Sequence, residues 1–174
     1  SPKILCFSNF VWNFNLSYKF ASIAKQRDPN IIIVLGGPNF PTEQNEKKDF
    51  FKKYPVVDYY VELEGELAFV DLVKKLSEYN FNTSLFKKNN EKITNTCYVY
   101  QDYLIKGSVS RINDVNIVPS PYLTGAMDQF FAHPIIPIIE TTRGCPFTCA
   151  FCADGQESKN IIHRYDPERT KEEL

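Results

Sequence analysis

The first ninety residues alternate short apolar runs with segments whose apolar positions recur every three or four residues, the pattern of a parallel sheet with crossover helices. Lys3 to Phe7 reads as a strand. Asn15 is placed to cap a helix whose apolar residues Leu16, Phe20, Ile23 and Ala24 fall at i, i+4, i+7 and i+8. Asp28-Pro29 ends that helix, because the residue before a proline avoids the helical region. Ile31 to Leu35 has no polar break, as expected for a strand covered by helices on both faces. It stops at Gly36-Gly37-Pro38, where the backbone can turn sharply and approach a ligand. A lysine-rich helix follows from Glu43 to Tyr54 and a third strand from Val56 to Val61. Glu64-Gly65-Glu66 then leads into a helix that buries Phe69, Leu72, Val73 and Leu76. The order is βαβαβα.

Residues 79–92, rich in Asn and Lys, hold too little apolar surface for a core and are expected to form a surface connection. Tyr98, Tyr100, Tyr103 and Ile105 alternate around Gln101-Asp102, which predicts a β-hairpin from Cys97 to Ile105. Pro119, Pro121 and Pro134 interrupt the stretch after the hairpin, as in an extended linker. Ile135 to Glu140, broken only by Pro137, predicts a strand. Asp166-Pro167-Glu168 supplies the N-cap, first-position proline and first-turn acid of a closing helix. The pattern divides into an α/β segment over 1–90, a hairpin and linker over 91–134, and a strand-loop-helix over 135–174. The chain opens on Ser1-Pro2-Lys3 and stops at Glu172-Glu173-Leu174 inside a helical pattern, so both ends are expected to continue in a longer protein.

Composition narrows the partners. Twenty basic against 21 acidic residues give a formal net charge of -1, with no basic cluster for nucleic acid or an anionic membrane, so a small molecule or a protein is the expected partner. No apolar run approaches the roughly 18 residues of a membrane span. Five cysteines, three clustered and two isolated, are unlike the even framework of a secreted disulfide domain, and a reducing, cytoplasmic location is expected. Cys6 and Cys97 read as small apolar side chains packed in a strand and a hairpin.

The remaining three stand in Arg143-Gly-Cys145-Pro-Phe-Thr-Cys149-Ala-Phe-Cys152. Three thiols spaced CxxxCxxC on one loop can hold three corners of an iron-sulfur cube and leave the fourth iron open to chelate a small molecule. Soft thiolates suit such a cluster better than carboxylates do. The competing reading is a structural zinc site completed by His163 in a non-catalytic α/β ligand-binding module, although zinc motifs usually step their cysteines as CxxC. Unligated thiols are a third reading. His133 and His163 have no partner pattern that argues for acid-base work.

A strand, a CxxxCxxC loop and a helix in that order resemble the start of the radical S-adenosylmethionine domain. The resemblance implies that Cys145, Cys149 and Cys152 hold a four-iron four-sulfur (4Fe-4S) cluster, that its open iron binds the amino and carboxylate groups of S-adenosylmethionine, and that Phe151 lies beside the adenine. Reductive cleavage would give a 5′-deoxyadenosyl radical or, in some members, a transferable methyl group, with the electron coming from a reductase or flavodoxin-type donor. Upstream, Ser8, Gly36-Gly37-Pro38 and Glu64-Gly65-Glu66, each following a strand, resemble the carboxyl-terminal half of the cobalamin-binding domain that precedes the radical domain in one large subclass. That implies cobalamin in the crevice at the strands' carboxyl ends, as open α/β sheets place their ligands. Ser8 would face the corrin or its tail, and Gly36 and Gly37 would let the nucleotide tail pass between sheet and helix. Glu64, Gly65 and Glu66 would form the third loop, although the two acids also suit a helix N-terminus on charge alone. Trp12 either covers a corrin edge or packs. The implied fold is an incomplete Rossmann-like parallel sheet, a β-hairpin linker and the first strand-loop-helix of a partial (β/α) barrel. The implied reaction is methyl transfer to an unactivated carbon or phosphorus, or a radical rearrangement, on a small-molecule substrate. The subclass's DxHxxG loop and its Gly-Gly-Glu-type segment have no counterpart in these residues.

Overall fold

The computed structural model describes residues 2–152 and 160–174. Residues 153–159, within the expected strand-loop-helix of 135–174, lie outside the described residues. The chain forms two compact units, Ser1–Ser110 and Arg111–Leu174. The first contains β1 (Ile4–Ser8), α1 (Phe14–Arg27), β2 (Ile32–Gly36), α2 (Gln44–Lys53), β3 (Tyr59–Val61), α3 (Gly65–Glu78), α4 (Thr83–Lys88), β4 (Thr96–Tyr100) and β5 (Tyr103–Lys106). Its five-stranded sheet runs β1-β2-β3-β4-β5. The first three strands are parallel, with Ser8 opposite Gly36 and Gly36 opposite Val61, and the hairpin adds two antiparallel strands. This is the expected α/β, Rossmann-like architecture with a mixed sheet. The hairpin turn places Gln101 and Asp102 at φ 47° and 67°, the twist that a two-residue hairpin prefers. Lys48 and Lys52 of α2 brace its tip, with ammonium groups 2.7 and 3.0 Å from the Asp102 carboxylate.

β2 is buried from Ile32 to Leu35, as its unbroken apolar run requires. On one face of the sheet Ile32, Val34, Tyr59 and Val61 pack under Ala68, Leu72 and Leu76 of α3. On the other, Leu35, Tyr60 and Cys97 meet Phe14 of α1 and Phe50 and Phe51 of α2.

Five local expectations are corrected. α1 starts at Phe14, one residue before the expected Asn15 cap, and buries Phe14, Ser17 and Ala21, whereas Leu16 and Phe20 are 63% and 56% exposed. Periodicity defines an apolar stripe but not which stripe meets the sheet. β3 begins at Tyr59 rather than Val56, because the amide of Val57 is used in a turn to Tyr54. The 79–92 connection contains α4, and Phe86 is fully buried against Tyr59, Tyr79 and Tyr98. Cys6 is exposed, while Cys97 is buried as expected. Residues 135–140 form no strand. Pro137 lacks a ladder donor, and Ile136 and Ile138 are 90% and 84% exposed.

The second unit has 3-10 turns at Val115–Ile117 and Asp128–Phe130, a two-stranded ribbon of β6 (Thr142–Arg143) and β7 (His163–Arg164), and α5 (Pro167–Glu173). The expected cap of α5 is present: Asp166 Oδ1 accepts from the Glu168 amide at 2.9 Å, with Pro167 in the first turn. Among the unit's described residues, Ile112, Val115 and Tyr165 are the buried apolar ones. The Tyr165 ring is approached by the guanidinium groups of Arg143 at 5.7 Å and Arg169 at 4.7 Å. Among the described residues no helix is long and apolar enough to cross a membrane.

Candidate functional site

A cleft of about 450 Å³ opens at the carboxyl ends of β1, β2 and β3. Strand alternation puts Cys6 and Ser8, Val34 and Gly36, and Val61 on the sheet face that α3 partly covers. Gly65, Glu66 and Phe69 of α3 supply a further wall, and Gly37 and Leu63 complete the rim. Five of the sequence-derived candidates, Ser8, Gly36, Gly37, Gly65 and Glu66, therefore line one space. Glu64 does not line it. It is the residue before α3, in extended conformation.

The glycines differ in what they do. Gly37 has φ +122°, and a Cβ there would lie 2.7 Å from the Asn9 carbonyl oxygen. Its lack of a side chain is thus required by the protein's own backbone. A Cβ on Gly36 or Gly65 would come no nearer than 3.4 Å to Val61, an ordinary contact. Neither of these two has a positive φ, and Gly65 stands in the first turn of a helix, where alanine is the better helix former. At both, the fold has room for a methyl group that the sequence omits. Leu63 sits at φ 54°, an uncommon conformation for a branched apolar residue that carries a cost of order 1 kcal/mol. Such strain gathers at ligand sites.

Behind the cleft, Asn9 is fully buried and ties two loops together. Its amide Nδ2 donates to the Asn39 carbonyl at 2.6 Å and to the Tyr60 hydroxyl at 3.1 Å, while its Oδ1 accepts from Asn39 Nδ2 at 3.0 Å. Tyr60 in turn donates to the Gly37 carbonyl at 2.7 Å, and burial raises the Tyr60 phenol well above its ordinary value. Ser8 Oγ accepts from Asn13 Nδ2 at 2.8 Å. Trp12 is 81% exposed and stacks on Phe10, with ring centroids 4.7 Å apart and planes 13° from parallel. Although Cys6 is exposed as a residue, partial desolvation of its thiol against the cleft wall raises it above its ordinary value. Asn9 and Leu63 were not singled out from sequence, and Cys6 and Phe69 were read there as packing residues rather than as part of a cleft. An Asn directly after a strand was a signal available for the first, and nothing in the sequence marks Leu63 as left-handed.

The cysteine loop leaves β6 through Gly144 at φ 110°. Cys145 is half-buried, Cys149 and Cys152 are exposed, and the Cys152 amide donates to the Cys149 carbonyl at 3.1 Å. Phe151 is 92% exposed. Among the described residues no three His, Cys, Asp or Glu side chains converge on one metal position. The donor set, three accessible thiols on one short loop, nevertheless fits an iron-sulfur cluster by its chemistry. His163 is in β7 with Nδ1 2.8 Å from the Asn113 carbonyl.

No protein-family profile matches the chain. The chain is 31% identical over 185 residues to the cobalamin-dependent radical SAM methyltransferase TokK of Streptomyces tokunonensis, covering 99% of this chain and 25% of that protein. It is 32% identical to the 2-(S-pantetheinyl)-carbapenam-3-carboxylate methyltransferase of Streptantibioticus cattleyicolor, again over 99% of this chain and 25% of the relative. The fold matches that of the cobalamin-dependent S-adenosylmethionine radical enzyme OxsB, solved with aqua-cobalamin and S-adenosylmethionine bound. The TM-score is 0.64 at 20% identity, over 99% of this chain and 22% of that one. The chain thus spans about a quarter of the length of the curated relatives it matches. Over that span, the chain is similar in sequence to cobalamin-dependent radical S-adenosylmethionine methyltransferases and in fold to a cobalamin-dependent S-adenosylmethionine radical enzyme.

Proposed function

We propose that this chain supplies the tail-binding half of a cobalamin site and the cluster loop of a methyltransferase that cleaves S-adenosylmethionine reductively and acts on a small molecule. The observation that carries the proposal is the convergence of Ser8, Gly36, Gly37, Gly65 and Glu66 on one cleft in which Gly36 and Gly65 would each accommodate a methyl group that the sequence omits. A ligand passing close to the backbone is the reason for that omission.

Bound cobalamin would supply a methyl carrier, and the cluster a low-potential electron. The chain's own residues bind and orient. Gly36 and Gly65 admit the nucleotide tail between sheet and α3, while Val34, Val61 and Phe69 shield it from water. Ser8, whose oxygen already accepts from Asn13, has its proton to donate to a polar group of the ligand. Cys145, Cys149 and Cys152 hold the cluster, and Phe151 covers the adenine. The electron comes from a flavodoxin-type or reductase partner in the cytoplasm.

The test uses the full-length protein, reconstituted without oxygen. Wild type should take up about four irons per chain, Cys149→Ala should take up none, and Cys6→Ala and Cys97→Ala should match wild type. Gly65→Val should weaken cobalamin binding at least about tenfold while iron uptake is unchanged. One colourless zinc in place of iron, or equal iron in all the cysteine variants, would overturn the assignment.

A further inference from the structure

The β6–β7 ribbon pairs two residues with two, Thr142 with Arg164 and Arg143 with His163. A ribbon so short is marginal in water, and the orientation of the cysteine loop that leaves it must come from other contacts. Residues 111–118 provide them. Arg111 donates to the Ile161 carbonyl at 2.8 Å, and the Asn113 carbonyl is 2.8 Å from Nδ1 of His163. Asn116 Oδ1 accepts from the Asp166 amide at 2.8 Å, and Arg169 donates to the Val118 carbonyl at 2.7 Å and the Asn116 carbonyl at 3.5 Å. The Asn116 amide is itself oriented: its Nδ2 and its backbone N–H both donate to Asp114 Oδ1, at 2.9 and 3.0 Å, which turns its oxygen toward Asp166. Apart from the two bonds between Asn116 and Asp114, these bonds reach the segment that follows the three cysteines. The segment before them is joined to it by the ribbon and by the Tyr165 amide, which donates to the Thr141 carbonyl at 3.1 Å.

We infer that residues 111–118 form a clasp on the exit stem of the cysteine loop, with Asn116 and Arg169 as positioning residues for the cluster. The inference rests on Cys145, Cys149 and Cys152 being cluster ligands. Thiols on one loop can capture iron wherever that loop points, but a cluster that must present one iron to a bound sulfonium needs its loop fixed to within a fraction of an ångström. The linker is therefore part of the site's supporting structure as well as a connection.

The full-length protein can separate these roles. In the metal-free protein, Asn116→Leu should speed hydrogen exchange at the Asp166 amide about tenfold, the loss expected for one hydrogen bond. After reconstitution, Asn116→Leu and Arg169→Ala should keep wild-type iron. Their affinity for S-adenosylmethionine, titrated through the paramagnetic signal of the reduced cluster, should fall about tenfold, and Arg169→Lys should restore only part of it, since an ammonium group lacks the planar fork that reaches Glu173 and the Val118 carbonyl together. Unchanged exchange in Asn116→Leu, or unchanged affinity in Arg169→Ala, overturns the clasp. Should Asn116→Leu fail to fold, the Arg169→Ala and Arg169→Lys pair decides. A wild-type protein that takes up no iron overturns the cluster assignment instead.

Discussion

The two units are held together by different physics. In the first, a five-stranded sheet buries aromatic and β-branched side chains on both faces, and the cleft is a by-product of strands ending side by side. In the second, Ile112, Val115 and Tyr165 are buried, and side chains bonded to backbone carbonyls and amides do most of the ordering. A site built from strand ends is set when the sheet forms. A site built on a polar-tethered loop gains much of its order from what it binds, because metal affinity and local folding are coupled. The cleft should thus survive damage to the cysteine loop, whereas the loop should be sensitive to small polar changes.

The largest expected effect is on the first unit's core. Phe86→Ala should destabilise that unit by about 4 kcal/mol in denaturant unfolding and leave the Asp166 amide protection of the second unchanged; a coincident loss in both would erase the contrast. Next are the glycines. Gly37→Ala should cost about 2 kcal/mol, since it must strain a left-handed backbone and push on Asn9. Gly36→Ala should move stability by less than about 0.5 kcal/mol yet weaken cobalamin binding in the full-length protein, so equal stability losses would reverse the division drawn between them. The smallest effect concerns acid. Hydrogen bonds from Ser120 and then Arg169 hold the Glu173 carboxyl below its ordinary value of 4.5. A depressed carboxylate contributes stability that is complete above the ordinary value and fades as pH falls through the lower, folded one. Wild type should therefore exceed Glu173→Gln in the second unit's exchange protection at neutral pH, and the two should converge on acidification below pH 4.5. A difference that persisted in acid would mean that the carboxylate's charge is not what matters.

Legibility in the sequence divides along the same line. The β2 run, the α3 stripe, the Gln101-Asp102 turn and the α5 cap were readable because each depends on neighbours a few residues away. The face of α1 was not, since Leu16 and Phe20 form as good a stripe as Phe14, Ser17 and Ala21, and only the sheet decides between them. Phe86 was hidden by Asn and Lys neighbours, although one large aromatic is enough to anchor a short helix. Of the candidate site, the convergence of the five cleft residues was legible because they stand at or just beyond strand ends, where chain direction alone brings them together. Asn116 and Arg169 were not, because they meet their partners across about fifty residues of sequence separation with no local pattern at either end.

The knot of amides around Asn9 has a consequence for how a guest would arrive. Asn9, Asn39 and the Tyr60 hydroxyl bind the lips beyond β1 and β2 to each other, so neither can swing outward alone. A visitor meets a doorway already framed, and the disorder given up in framing it is lost when the chain folds rather than at the moment of docking.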